Sequence, residues 1–459
     1  MDGLRYISKV EDEYFYLYQD NREIINKNIP EYIQKIRDDA IIDFTNVGIS
    51  DKSDEESRHT DFKAIFSNDF RKNFNSEKYD VNVKEVFQCN VPELDTHLIL
   101  LINGRYYEGN NALSNVPEGV ILSGLAEAFI KYPEILKKHY TKYAKTKENG
   151  LTALNTVFAQ DGFFLYIPEN TILDKSIQVI NILRANENRM VQQRNLIVLE
   201  DHCEAKIVIC DHTLSDHKYL TNNITEIYTG RNSVFDIYNM QDEHNLASKV
   251  NSIFINQEEG SNVFSNTISL HGGIIRNNIH VLLNGKKCEN HTYGIFLSDK
   301  SQHIDNHTFI DHAFPECTSS ELFKGIMDDT STAAFSGRIL VRKDAQKSQA
   351  FQSNNNIMLT DTARINTRPQ LEIYADDVKC SHGATVGQLD EDAMFYIRSR
   401  GIDMKEARML LMFAFAKEVI NKIRILPLQE RIDDLIEKRL RGELTRCANC
   451  AVNCYQDNN

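Results

Sequence analysis

The stretch from Val234 to Ser298 holds four short apolar runs, "VFDIYNM" (234–240), "VNSIFIN" (250–256), "IHVLLNG" (279–285) and "TYGIFLS" (292–298). Each has strand length and is rich in β-branched and aromatic residues, and Asn, Asp, Gly and Ser sit between them as turn chemistry requires. The texture extends both ways, through "IQVINIL" (177–183), "NLIVLE" (195–200) and "AKIVIC" (205–210) upstream and "GRILVRK" (337–343) downstream. No amphipathic helix interrupts it between about Leu151 and Asp390. That excludes βαβ architectures, which need a crossover helix for each parallel strand. A sandwich, a large barrel or a β-solenoid remains. The length, the steady spacing and the scarcity of Gly (20) and Pro (8) favour a solenoid, although no fixed-period repeat is visible.

The flanks read differently. Residues 1–150 are mixed and mainly helical. Ile24, Ile25, Ile29, Ile33 and Ile36 fall at helical spacing, "LSGLAEAFIKYPEILKKHYTKYA" (122–144) reads as helix, and "HLILLING" (97–104) reads as a strand ending in a turn. The β core takes 151–390. Residues 391–445 form a helical domain with a break near Gly401. There Met409 to Ala416 are apolar on every side, so that helix is deeply buried or covered by a partner. Leu428, Ile432, Leu435, Ile436 and Leu440 make one stripe, with Gly442 at a C-cap position. Residues 446–459 are a tail.

The chain of 459 residues carries a net charge of −14 and no Lys/Arg run, which argues against nucleic-acid binding. The acidic N-terminus has no apolar core of a signal peptide, and no apolar run approaches the roughly 18 residues of a membrane span. Nine cysteines, odd in number and scattered, suit a reducing cytoplasm better than a disulfide framework.

Three places could carry chemistry. In "LEIYADDVKCSHGATVGQLD" (371–390), Cys380 and His382 are two apart and share a strand face, with Val378 and Tyr374 behind them. A thiolate and an imidazole suit a borderline-soft metal, but two ligands leave a site incomplete. The plainer alternative is a buried small thiol and a turn histidine. In "SQHIDNHTFIDHAFPEC" (301–317), His303, His307, His312 and Cys317 lie near Asp305 and Asp311. This is either a metal site or a hydrogen-bonded polar ladder. The tail "RCANCAVNC" spaces Cys447, Cys450 and Cys454 like a metal cluster but offers no fourth ligand. The chain has neither a Walker A sequence nor a GxGxxG, so it shows no nucleotide site of its own.

The segments "QHIDNHTFIDHAFPEC", "SSELFKGIM", "AQKSQAFQSNNNIML", "RPQLEIYADDVKCSHGATVGQLDEDAMFYIRSRGI" and "EARMLLMFAFAKEVI" closely resemble the SufB/SufD family of iron–sulfur cluster assembly proteins. "LNTVFAQDGFFLYIPENTIL" and "NVGISDKSDEESRHTDFKAIF" extend the likeness toward the N-terminus, and "CSHGATVG" resembles the SufD branch. The resemblance implies a right-handed parallel β-helix core and a C-terminal helical domain that docks the ATPase SufC. It implies pairing with SufB, sulfur passed on by a cysteine desulfurase, and a transient iron–sulfur cluster at the SufB interface. His382, with Cys380 beside it, would be this subunit's part of that site, completed by SufB. Met409, Phe413, Phe415 and Leu435 are the residues expected to meet SufC. The chain itself would be a non-enzymatic scaffold, ATP hydrolysis belonging to SufC. Some family members suggest a reduced flavin as a cofactor of the complex. Two alternatives stay open: a purely structural subunit that ligates nothing, and a carbohydrate-active β-helix enzyme, against which the missing export signal counts.

Overall fold

The computed structural model describes residues 9–68, 70, 74, 95–107, 116–184, 186–213 and 217–443. Strand segments alternate between two sheets, as in a solenoid. One sheet holds β1 (Thr96–Ile102), β2 (Arg105–Tyr106), β5 (Ser176–Leu183), β7 (Glu204–Thr213), β9 (Val234–Asp242), β11 (Asn262–His271), β13 (Glu289–Ser298), β15 (Thr318–Met327), β17 (Gln349–Met358) and β19 (Lys379–Gly387). The other holds β3 (Ile121–Gly124), β4 (Phe163–Ile167), β6 (Arg189–Leu199), β8 (Tyr219–Thr229), β10 (Ala247–Gln257), β12 (Ile274–Leu283), β14 (His303–His312), β16 (Thr332–Val341) and β18 (Arg364–Ile373). Neighbours within a sheet are one coil apart and parallel, as expected of a parallel β-helix. Among the described residues antiparallel pairs occur only at the N-terminal end, β1 with β2 and β3 with β4. Both sheets therefore begin before residue 150.

The missing repeat has a structural cause. Ser248 pairs with Ile274, 26 residues on, whereas Thr332 pairs with Arg364, 32 residues on. Coil length varies, so no period survives in the sequence. What does recur is a corner. His202, Asn232, Gly260, Lys287, Glu316 and Lys347 all adopt the left-handed conformation at one edge of successive coils. Each precedes a small side chain, Cys203, Ser233, Ser261, Cys288, Cys317 or Ser348. Four of these side chains bond backbone carbonyls: Ser233 Oγ donates to Glu200 O at 2.7 Å, and Cys203, Cys288 and Cys317 donate through sulfur, Cys317 Sγ to Gly285 O at 3.1 Å. The buried thiols Cys203, Cys288 and Cys317 thus do the same work as Ser233.

Each sheet has a covered outer face. The helices Lys9–Ile25, Glu31–Val47 and Gly150–Phe158 lie on the even-numbered sheet, sharing a core with Met190, Leu220 and Val250. Gly150 must be glycine, because a Cβ there would lie 1.8 Å from the Gly48 carbonyl oxygen. The stretch 122–144 is broken up: β3 ends at Gly124, and Pro133 separates the helices Leu125–Lys131 and Pro133–His139. A buried ion pair ties this region to the solenoid. Glu226 accepts from Arg194 Nη2 at 2.7 Å and from the backbone N–H groups of Thr141, Tyr143 and Ala144 at 2.9–3.0 Å. The C-terminal helices Glu391–Ser399, Met404–Ile420 and Leu426–Arg441 run back along the odd-numbered sheet, where Met412, Leu428 and Ile432 pack on Tyr238, Phe264 and Leu322. Arg424 pairs with Asp236 at 2.9 Å and Arg439 with Asp299 at 2.9 Å. Gly442 ends the last helix at φ 74°, the left-handed cap expected of it.

The lumen between the sheets is not uniformly apolar. Lys249 is buried there against Asp211 at 2.7 Å and Glu243 at 2.9 Å. Glu321 is buried too, and among the described residues it has no basic partner; the Gln352 amide donates to it at 2.6 Å. Burial pushes its carboxyl up to about 7, against the opposing pull of Thr308 and Gln352.

Two outcomes follow from these buried charges. Glu226→Ala leaves Arg194 buried without its carboxylate and is expected to cost about 3–5 kcal/mol, seen as an earlier first transition in thermal or urea unfolding. Glu321 ionises less readily folded than unfolded. Its stabilising contribution is therefore full below the ordinary Glu range and is lost as pH rises through about 7. Glu321→Gln should match wild type near pH 4 and exceed it at pH 8, by on the order of 3 kcal/mol. Parallel melting curves across that pH range check this.

Candidate functional site

Strands β18 and β19 are the last of their sheets, and none of the described residues caps them. Along β15 nearly every residue is buried, whereas β18 and β19 are half-buried to exposed. Alternation along β17 fixes which side chains face the lumen. Ala350, Gln352, Asn354 and Asn356 are buried, while Phe351 is exposed. The register pairs Ala350 with Cys380 and Gln352 with His382. Cys380 and His382 therefore share a face, the lumen face, at the open end of the solenoid.

Their surroundings differ. Cys380 is partly buried against the interior cluster with Val378 and Leu371. Burial pushes its thiol up, opposed by the Ala350 backbone. His382 is exposed, and a Cβ on neighbouring Gly383 would touch nothing. Tyr374 does not stand behind the pair: it lies between the two strands and is 64% exposed. The thiol is thus a protonated, sheltered group and the imidazole an accessible one. Among the described residues no three His, Cys, Asp or Glu side chains are grouped to hold a metal, so the pair is at most a partial ligand set.

The histidines of 301–317 do not converge. His303 and His307 share the outer face of β14 with Asp305, but His312 points into the lumen and contacts Ser319 Oγ at 2.8 Å. Asp305 is the centre of a lock. Thr60 donates to it at 2.6 Å, Arg276 Nη1 lies at 2.6 Å and His307 Nε2 at 3.1 Å. Burial opposes ionisation, yet Arg276 and His307 hold the carboxyl far below its usual range. Burial in turn lowers both His303 and His307. Asp311 is engaged by Arg342 in a two-pronged pair at 2.7 and 2.9 Å. The Asp305 group, with His303 on Thr60 and Arg276 over Phe62, clamps residues 50–66 to the sheet. A cavity of about 150 Å³ lies beneath that segment.

The expected docking residues are placed differently from one another. Met409 and Leu435 are buried in the packing between helices and sheet, and Phe413 and Phe415 are partly buried beside it. The Phe415 ring lies under Lys324, whose Nζ is 4.2 Å from its centroid and also pairs with Glu418. The helix is apolar all round because it packs on two sides. Exposed apolar groups of this domain are Phe395, Tyr396, Met404, Leu410 and Leu426. Cys447, Cys450 and Cys454 lie outside the described residues, as does Cys89. No helix among the described residues is long and apolar enough to cross a membrane.

Sequence reasoning missed Glu321 and Gln352. No local signal marks them, since they meet each other and His382 only through the register of three successive coils.

Comparison with known proteins adds an independent line. Residues 181–415 match the family described as "SUF system FeS cluster assembly, SufBD core domain", and residues 8–179 match "SufBD protein N-terminal region". An iron–sulfur cluster assembly SufBD family protein of Synechocystis is 29% identical over 401 residues, covering 84% of this chain and 87% of the relative. The iron–sulfur cluster assembly protein SufD of Escherichia coli is 32% identical over 249 residues, 54% of this chain and 59% of the relative. SufD of Bacillus subtilis is 27% identical over 331 residues, 71% of this chain and 75% of the relative. With two family matches spanning the solenoid and the region before it, and relatives that carry the SufD name, the chain belongs to the SufB/SufD family of iron–sulfur cluster assembly proteins, on its SufD branch.

Proposed function

We propose that this chain is the SufD-like scaffold subunit of a complex with SufB and SufC, and that it contributes His382 and Cys380 to a cluster-building site at the SufB interface. A role in iron–sulfur assembly comes with the family. The observation that carries the finer reading is the uncapped end of the solenoid, with both candidate ligands on its lumen face. An edge strand with unpaired N–H and C=O groups is a template for another strand. A second β-solenoid placed there continues the ladder and encloses the two side chains. Enclosure desolvates them and excludes bulk water while iron and sulfide, the cargo, are brought together. A two-ligand half-site binds weakly by itself, which suits a scaffold that must release what it builds.

The two side chains have different roles in this reading. The imidazole is the ready donor, exposed at the open coil. The sheltered thiol must lose its proton before it can ligate, and its environment disfavours that. A purely structural subunit is the second reading, favoured by the packing of Cys380 against the interior cluster.

His382→Ala is expected to leave the three-protein complex intact and to lower anaerobic cluster formation at least tenfold, measured as iron and acid-labile sulfide per complex. Cys380→Ser is expected to lower it only a few-fold. Normal loading of the His382→Ala complex would sink the ligand role and leave the structural subunit.

For SufC, the docking face is proposed on the C-terminal helices, with Met409, Phe413, Phe415 and Leu435 as the packing behind it and Phe395 and Leu410 as contacts. Phe395→Asp combined with Leu410→Asp should abolish co-purification of SufC and leave the melting temperature unchanged. Phe413→Asp should lower the melting temperature as well. Undiminished capture of SufC by the double variant refutes the docking face.

A further inference from the structure

Behind His382 lies a buried amide whose two ends are used unequally. Gln352 is 3% exposed. Its Nε2 donates to Glu321 Oε2 at 2.6 Å, one coil further inside, while its Oε1 is buried without a partner. Its space is kept open by Gly337 on β16, where a Cβ would lie 2.2 Å from Gln352 Nε2. With the nitrogen committed inward, the oxygen is the end left for the next coil. The ladder places His382 there, directly paired with Gln352. A buried amide oxygen without a donor costs about 1–3 kcal/mol, so the site is built for a donor it lacks in the free chain.

We propose that Gln352, oriented by Glu321, is a positioning residue for His382: its Oε1 accepts the imidazole N–H when a partner covers the open coil. This rests on the reading of His382 as a cluster ligand. A ring whose inner nitrogen carries the proton and donates to a carbonyl presents the lone pair of its outer nitrogen to the interface, the arrangement that metal-binding histidines use. The orientation is relayed through two coils without Gln352 or Glu321 touching the cargo. The titratable groups on this stretch of lumen are Glu321 on β15 and Cys380 on β19. The facing residues of β16 and β18, Phe335, Gly337, Thr367, Pro369 and Leu371, carry no charge, and His312 on β14 is held by Ser319.

The test uses the complete complex with SufB and SufC, following iron and acid-labile sulfide per complex across pH, with His382→Ala alongside. Gln352→Leu is expected to lower loading about tenfold with the complex intact. Gln352→Glu combined with Glu321→Gln, which exchanges the two groups, keeps the amide-to-carboxylate bond between the coils and leaves an acceptor oxygen toward His382, should recover most of the loading. It should also move the acid limb of the pH profile upward, because a carboxylate beside the ring favours the protonated imidazole. A merely structural role would not shift that limb. If Gln352→Leu prevents assembly of the complex, Gln352→Asn, which withdraws the oxygen by one methylene, takes its place with the same expectation. Loading of either variant at the wild-type level while His382→Ala fails overturns the positioning role alone. Equal loss in Gln352→Leu and in the exchanged pair with an unmoved pH profile also overturns it. Normal loading with His382→Ala overturns the positioning role together with the ligand reading on which it rests.

Discussion

The in-register stacking of parallel coils governs this molecule. Each strand satisfies its backbone groups only by pairing with the coils before and after it, so a solenoid always has two ends to close. At the N-terminal end the chain closes itself: β2 and β3 pair antiparallel with β1 and β4. At the C-terminal end it turns away instead. After β19 the chain leaves as the helix Glu391–Ser399, none of whose residues is buried, and returns along the side of the odd-numbered sheet. The open end follows from where the C-terminal helices pack. They are held there by Arg424 on Asp236, Arg439 on Asp299 and Lys324 on Phe415 and Glu418.

The same stacking lines side chains of successive coils up in files along the lumen. An inward side chain on one strand has the corresponding residue of the next coil as its neighbour, as Glu321, Gln352 and His382 illustrate. Polar residues in such a file must find partners among themselves. Lys249 does so with two carboxylates, and Asn181 donates to Asp211 at 2.8 Å. Where the file reaches the open end, partners run out. The unsatisfied Gln352 oxygen and the exposed His382 are the last members of their row.

Much of this was legible in one dimension. Strand-length apolar runs separated by turn residues marked the solenoid, Gly442 marked a helix end, and Cys380 and His382 were placed on one face by parity. Other features were hidden for identifiable reasons. The corner ladder is carried at left-handed positions by His, Asn, Gly, Lys and Glu, residues with nothing in common but their backbone conformation. Pro133 and Gly124 cut what reads as one helix into a strand and two short helices. Met409 and Leu435 lie on two separate helices, Met404–Ile420 and Leu426–Arg441, and their burial within the chain shows only once these helices are packed.

The sequence by itself determined the local geometry: which residues form strands, which side chains alternate inward, and which family's motifs the chain carries. Period-two alternation and turn chemistry act over a few residues, and so they can be read from order alone. Only the tertiary structure decided which coil is last, which face of the C-terminal helices is free, and which residues stand behind His382. Those depend on coil lengths of 26 to 32 residues bringing distant positions into register, and no local pattern encodes that sum.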